Sequence, residues 1–169
     1  MPDNYPTIQT AIDASVDGDV IVVRPGTYYE NIDFLDRNIV LQAEQGPAGT
    51  IIDGVQSRSV VTFNSPEIRS AVLEGFTISN GTGTYWPAYN WYEGGGVYCV
   101  NGAGPVIRGC VIKANSALRG YAGEGGGIYC KEAFATIEGN TIVENIAYWG
   151  GGISCQYGRT AIRENTIRG

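Results

Sequence analysis

Short runs of alternating apolar and polar residues recur along the chain, each bordered by Gly or Asn. Val72–Ser79 (VLEGFTIS), Val106–Lys113 (VIRGCVIK), Thr136–Val143 (TIEGNTIV) and Ala161–Arg168 (AIRENTIR) align without gaps. Period-2 alternation, β-branched content and Gly or Asn borders predict strands. A second phrase accompanies the first: EGGGVYC at Glu93–Cys99, EGGGIYC at Glu124–Cys130 and WGGGISC at Trp149–Cys155. The aligned residues Glu74, Arg108, Glu138 and Arg163 are 34, 30 and 25 residues apart. A period of about 20–50 residues marks a repeat architecture. Two strands per repeat, with no helical pattern between repeats, predict a coil that winds once and stacks on itself. Equivalent strands then run parallel, about 4.8 Å apart.

Stacking turns equivalent residues into ladders. Ile78, Ile112, Ile142 and Ile167 are expected to form one inner ladder, and Cys99, Cys130 and Cys155 another. Within GGIYCK, Ile128 and Cys130 face inward and Tyr129 outward by alternation. The cysteines read as small apolar fillers of a tight interior. An outer ladder reads Glu74, Arg108, Glu138, Arg163, alternating in sign, and is expected to set register by attraction between neighbouring strands. The GGG triplets are expected to turn corners. They lack the Lys and following helix of a nucleotide loop. Asn140 and Asn165, in one column with Phe76 and Cys110, are placed to bond backbone at a bend.

Thr7–Ser15 puts Ile8, Ala11, Ile12 and Ser15 on one helical face and predicts a short helix covering the first coil. Asp19–Val23, Asn38–Ala43, Thr50–Asp53 and Ser59–Phe63 read as strands. AIRENTIRG stops part-way round a coil and offers an uncovered edge, so a homo-oligomer paired through the C-terminal coil is expected.

Composition narrows the chemistry. A net charge of −6 argues against nucleic acid and anionic membrane surfaces, which need clustered Lys and Arg. No run of about 18 apolar residues predicts membrane insertion. The opening MPDNYPTIQ has neither the basic nor the apolar region of a signal peptide. The chain has no His, which removes His general bases, Ser-His-Asp triads and the usual zinc sites. Cys99, Cys110, Cys130 and Cys155 form no C-x-x-C pair.

On these phrases the chain resembles the right-handed parallel β-helix proteins of the pectin-lyase-like superfamily. Tyr5–Ile32 (YPTIQTAIDASVDGDVIVVRPGTYYENI) is similar to the cap helix and first coil of many members, and GNTI (Gly139–Ile142) and GGGI (Gly125–Ile128) to bacterial β-helix repeats. The resemblance implies an all-β, right-handed parallel β-helix of about five coils with a short N-terminal helix. It would be one domain over residues 1–169, with the cap region at 1–18 and the coils at 19–169. GTYYE (Gly26–Glu30) fits the G-x-Y-x-E pattern of pectin methylesterases, which is not that family's catalytic centre. The catalytic stretches of pectin methylesterases, the Asp-clustered calcium ligands of pectate lyases and the Asp and His set of polygalacturonases have no match. The resemblance therefore implies an association with polysaccharides and a secreted or envelope setting, with no catalytic residues carried over.

Repeat length locates a variable face. From each ladder charge to the residue before GGG the step is 19, 16 and 11, so the length variation falls in one connection per coil. In solenoids such insertions gather on one side, often the binding side. Those connections carry Tyr85, Trp86, Tyr89, Trp91 and Tyr92, then Tyr121, then Tyr148 and Trp149, including every Trp of the chain. Three outcomes are open for these rings: sugar contact, protein contact, or a cluster packed on itself. Glu93 and Glu124 hold one place on adjacent coils, roughly 5 Å apart by strand spacing. They are the candidate catalytic pair, able to share a proton, bind a cation such as calcium, or act as glycosidase acid and nucleophile; two solvated side chains are the plainer alternative. No other cofactor is expected. The outer column Thr77, Val111, Thr141, Thr166 is too interrupted, and too close to Lys113 and Arg168, for a flat ice-binding face.

Overall fold

The computed structural model describes residues 5–66, 68–118 and 122–169. The chain winds as a parallel β-helix with three strands per coil, one more than the alternation alone predicts. The first sheet stacks β1 (Val20–Val23), β4 (Val40–Ala43), β7 (Val72–Glu74), β12 (Val106–Arg108), β15 (Thr136–Glu138) and β18 (Ala161–Arg163). The second stacks β2 (Gly26–Tyr29), β5 (Thr50–Asp53), β8 (Thr77–Ser79), β13 (Val111–Lys113), β16 (Thr141–Val143) and β19 (Thr166–Arg168). The third stacks β3 (Ile32–Asp33), β6 (Val61–Phe63), β11 (Val97–Val100), β14 (Ile128–Lys131) and β17 (Ile153–Gln156). These make five complete coils and two strands of a sixth. An antiparallel hairpin, β9 (Thr84–Trp86) and β10 (Trp91–Glu93), departs from the third coil.

The extra corner lies inside the VLEGFTIS phrase. Gly75, Gly109 and Gly139 adopt φ of 78°, 59° and 61°, and Glu164 adopts 56°, so one left-handed residue breaks each run into two strands. Such a residue costs little as Gly and about 1–2 kcal/mol otherwise.

The ladders hold their predicted register. Ile78, Ile112, Ile142 and Ile167 pair in sequence along the second sheet. Cys99, Cys130 and Cys155 pair along the third. Cys99, Cys110 and Cys130 are buried free thiols, whereas Cys155 is exposed, because among the described residues no strand of its sheet stacks beyond β17. The interior is filled by Leu41, Leu73, Ile107 and Ile137 from the first sheet and Ile52, Ile78, Ile112 and Ile142 from the second. Val61, Val97, Ile128, Phe63, Cys99 and Cys130 fill it from the third.

Asn side chains tie the coils at the bends. Asn140 Oδ1 accepts from Cys110 N at 2.9 Å, and its Nδ2 donates to Ile107 O at 2.9 Å. A second buried pair was not foreseen: Asn115 Oδ1 accepts from Gly81 N at 2.9 Å, and Asn145 Oδ1 from Asn115 N at 3.0 Å. The charge ladder stands in the expected register, with ion pairs at its first and last steps, Arg108 to Glu74 at 2.8 Å and Arg163 to Glu138 at 2.6 Å.

The cap helix α1 (Ile8–Ala14) buries Ile8, Ala11 and Ile12 over the first coil, with Thr7 as N-cap. Glu30 gives the GTYYE motif its role here. Its Oε1 accepts from Ile8 N at 2.9 Å and its Oε2 from Gln9 N at 3.0 Å, so the first coil supplies an anion to the helix N-terminus. Among the described residues no helix is long and apolar enough to cross a membrane.

Candidate functional site

The GGG triplets bring the site residues into one column. Gly94, Gly125 and Gly150 have φ of 64°, 63° and 62°, which makes them the expected corners. The glycines after them serve close stacking: a Cβ on Gly96 would stand 2.6 Å from Gly127 O and 2.9 Å from Asn115 Nδ2. Just before these corners Glu93, Glu124 and Trp149 pair in parallel from coil to coil, as their shared place in the phrase predicts.

The hairpin decides what becomes of Glu93. Trp91 pairs with Trp86, Tyr92 with Tyr85 and Glu93 with Thr84. It lies against the outer side of the third sheet, so Tyr98 and Tyr129 point away from the coil interior yet are buried at 6% and 1% exposure. Their rings stack at 6.0 Å. Glu93, the last residue of β10, is 2% exposed at the base of the hairpin, which replaces the solvated arrangement by an enclosed one. Trp91 Nε1 donates to its Oε1 at 3.1 Å, and Tyr98 and Tyr129 lie beside the carboxylate. Burial raises the Glu93 carboxyl above its ordinary value, against the Trp91 and Tyr129 hydrogen bonds and the Lys131 charge; Glu124 adds to the rise. Burial and the Glu93 charge push the Tyr98 hydroxyl up to about 12 and raise Tyr129 as well.

Glu124, one coil on, is held differently. Ser154 Oγ donates to its Oε2 at 3.1 Å, and Gln156 Nε2 donates to the same oxygen. It lines an open pocket of about 370 Å³ with Trp91, Trp149, Ser154, Cys155 and Gln156.

The aromatic residues divide into groups. Trp91 meets Trp149 edge-on at 5.8 Å, Tyr89 stacks on Trp91 at 4.9 Å, and Tyr148 meets Trp149 at 4.5 Å. Connections from the third and fifth coils thus form one surface. Tyr85 and Tyr92, 5.2 Å apart, line a separate pocket of about 420 Å³ with Asp33, Arg58 and Thr62. Trp86 carries the Lys131 ammonium over its ring at 5.3 Å. Tyr121 lies outside the described residues. Tyr89, Tyr148, Trp149, Tyr85 and Trp86 are exposed, while Trp91 and Tyr92 are half-buried. Among the described residues no three His, Cys, Asp or Glu side chains converge as a metal site.

Sequence reasoning missed Ser154, Gln156, Tyr98 and Lys131 as site residues. Each is an outward position of the repeated phrase, in the columns Tyr98–Tyr129–Ser154 and Val100–Lys131–Gln156.

Residues 47–169 match the family described as the right-handed β-helix region. The chain belongs to that family. A right-handed β-helix of similar course occurs in a pectin methylesterase variant solved in complex with a hexasaccharide, at a TM-score of 0.53 and 15% identity, over 86% of this chain and 53% of that one. This right-handed β-helix chain therefore spans about half the length of that enzyme. The likeness shows a shared fold, the right-handed parallel β-helix. No curated protein sequence matches the chain.

Proposed function

We propose that this β-helix binds an extended polysaccharide along the aromatic face beside its third sheet. The observation that carries the reading is the surface of Tyr89, Trp91, Tyr148 and Trp149, contributed by two different coils and meeting at Trp91 and Trp149. Indole and phenol faces pack on the C–H faces of sugars, and their polar edges accept or donate to hydroxyls. Glu124, Ser154 and Gln156 set polar groups beside the rings. The similar fold that holds a hexasaccharide supports the substrate class. An extracellular or envelope setting goes with it.

The test is tryptophan fluorescence titrated with plant, algal and bacterial polysaccharides, with and without calcium. Every Trp of the chain lies in this region. A saturable shift with one glycan, weakened at least about tenfold in Trp149→Ala, is expected. No shift with any glycan removes the reading.

A second reading, a glycoside hydrolase or lyase acting through Glu93 and Glu124, draws on one observation. The two carboxylates are neighbours in register, and burial raises one of them, the pattern that separates an acid from a nucleophile. If the bound glycan is cleaved, Glu124→Gln is expected to lower kcat by at least about a hundredfold. An unchanged rate would falsify the assignment.

A further inference from the structure

The pocket between Trp91 and Trp149 has chemistry of one sign. Among the described residues its lining holds two indole rings inclined at 75°, one carboxylate, one hydroxyl, one amide and one thiol, and no Lys or Arg. Glu124 is 6% exposed. Among the described residues two donors, Ser154 and Gln156, hold Oε2 of this carboxylate at the pocket wall. Lys131, on the same outer face, lines a neighbouring pocket with Trp86 and Tyr98, and its ammonium sits over the Trp86 ring. The second carboxylate of the column, Glu93, lies next in register, and the chain as a whole carries −6.

An enclosed carboxylate beside indole faces attracts cations in two ways. The carboxylate acts through charge and hydrogen bonding, and the ring faces through their quadrupole. The same arrangement repels anions. A neutral sugar would leave the carboxylate with hydroxyl donors only. A polyuronate would set carboxylate against carboxylate. A sugar ring bearing a protonated amine meets both needs of the pocket: its C–H face packs on an indole while its ammonium donates to Glu124.

We propose that this pocket is a subsite for an amino sugar with a free, protonated amine, as found in glucosamine-containing polysaccharides. The proposal rests on the polysaccharide reading and narrows it to a cationic glycan. Glu124 recognises the ammonium, and Ser154 and Gln156 orient the carboxylate. Trp149 supplies the stacking face.

The experiment compares three oligosaccharides of equal length: an oligomer of glucosamine, the same oligomer N-acetylated, and an oligogalacturonate. Each is titrated by Trp fluorescence at mildly acidic pH, on the unaltered protein and on Glu124→Gln. The glucosamine oligomer is expected to bind at least about tenfold more tightly than its N-acetylated counterpart, since acetylation removes the charge from the hydrogen bond. The oligogalacturonate is expected to bind weakest. In Glu124→Gln the preference for the free amine collapses while affinity for the N-acetylated oligomer persists. General attraction of a polycation to an acidic protein is distinguished by the same variant, because it would survive loss of one carboxylate and so overturn the assignment to Glu124. Equal affinity for the amine and its acetamide on the unaltered protein, or tightest binding of the oligogalacturonate, overturns the amino-sugar subsite and leaves the glycan reading standing. Absence of a saturable shift with these oligomers and with the wider panel removes both. Should Glu124→Gln fold poorly, the same comparison with monomeric glucosamine and N-acetylglucosamine on the unaltered protein removes the polycation, and loss of the preference there would overturn the subsite.

Discussion

Glu93 carries a carboxylate into a place that disfavours its charge. Burial dominates, and the Trp91 and Tyr129 hydrogen bonds and the Lys131 charge offset only part of it, so the folded carboxyl titrates above its ordinary value of 4.5. In the window between the ordinary value and the raised one, the native state binds more protons than the unfolded state. Stability from this group therefore falls as pH rises through that window, and the contribution is gone above the folded value. Glu93→Gln keeps the shape and stays neutral. Its thermal midpoint is expected to lack this part of the pH dependence and to match or exceed the parent at neutral pH. Midpoints measured from acid to neutral pH on both proteins check this. Two curves that stay parallel across the window would show that Glu93 is not the group responsible. Glu124, its neighbour in the phrase, shows why the two were indistinguishable as letters: each lies one residue before GGG. What separates them is their setting in the fold: Glu93 closes the base of a hairpin, whereas the outward side chains Ser154 and Gln156 stand beside Glu124.

The element scale is where the alternation misleads. In VLEGFTIS, Leu73 and Phe76 are three residues apart, which in one flat strand places them on opposite faces. Both are fully buried, as are Ile107 with Cys110 and Ile137 with Asn140, so the odd spacing is the mark of the corner at Gly75, Gly109 and Gly139. That mark is present in the letters, but it is weak beside the period-2 runs on either side. The ladders were legible because like residues recur in like places. The hairpin was not, since its pairing of Trp91 with Trp86 belongs to a connection that occurs once. The glycines allow a quantitative check of the two roles argued for them. A Cβ at Gly109 meets nothing within 4 Å, and the same column holds Glu164 at φ 56°. Gly109→Ala is therefore expected to cost about 1–2 kcal/mol from backbone conformation alone. Gly96→Ala forces a Cβ to 2.6 Å from Gly127 O, so the spacing between coils must open. It is expected to cost about 3 kcal/mol or more. Urea unfolding of the two variants ranks them, and the reverse order would mean that coil spacing is more compliant than the glycine stacking implies.

At the scale of the molecule, the strands of each coil pair only with those of adjacent coils, so stability is close to a sum of coil and interface contributions along one axis. A stack of this kind has many nearly equivalent registers, and slipping by one coil would still bury isoleucine against isoleucine along the second sheet. The surface ladder removes that degeneracy by sign. Glu74, Arg108, Glu138 and Arg163 stand in register on successive strands, and a slip of one coil would set like charges side by side. The rungs are solvent-exposed pairs, each worth about 0.2–1 kcal/mol. Arg108→Glu places three acidic residues in a row and is expected to destabilise the protein by about 1 kcal/mol at low salt, with the loss shrinking as salt screens the ladder. Reversing all four signs together, as E74R, R108E, E138R and R163E, keeps the alternation and is expected to bring stability back to within a few tenths of a kcal/mol of the parent. Urea unfolding at low and high salt on the single and fourfold variants separates the order of signs from the identity of the side chains. A fourfold variant as unstable as the single one would assign the ladder's contribution to specific contacts, such as the 2.8 Å bond from Arg108 to Glu74, and leave register to the buried columns.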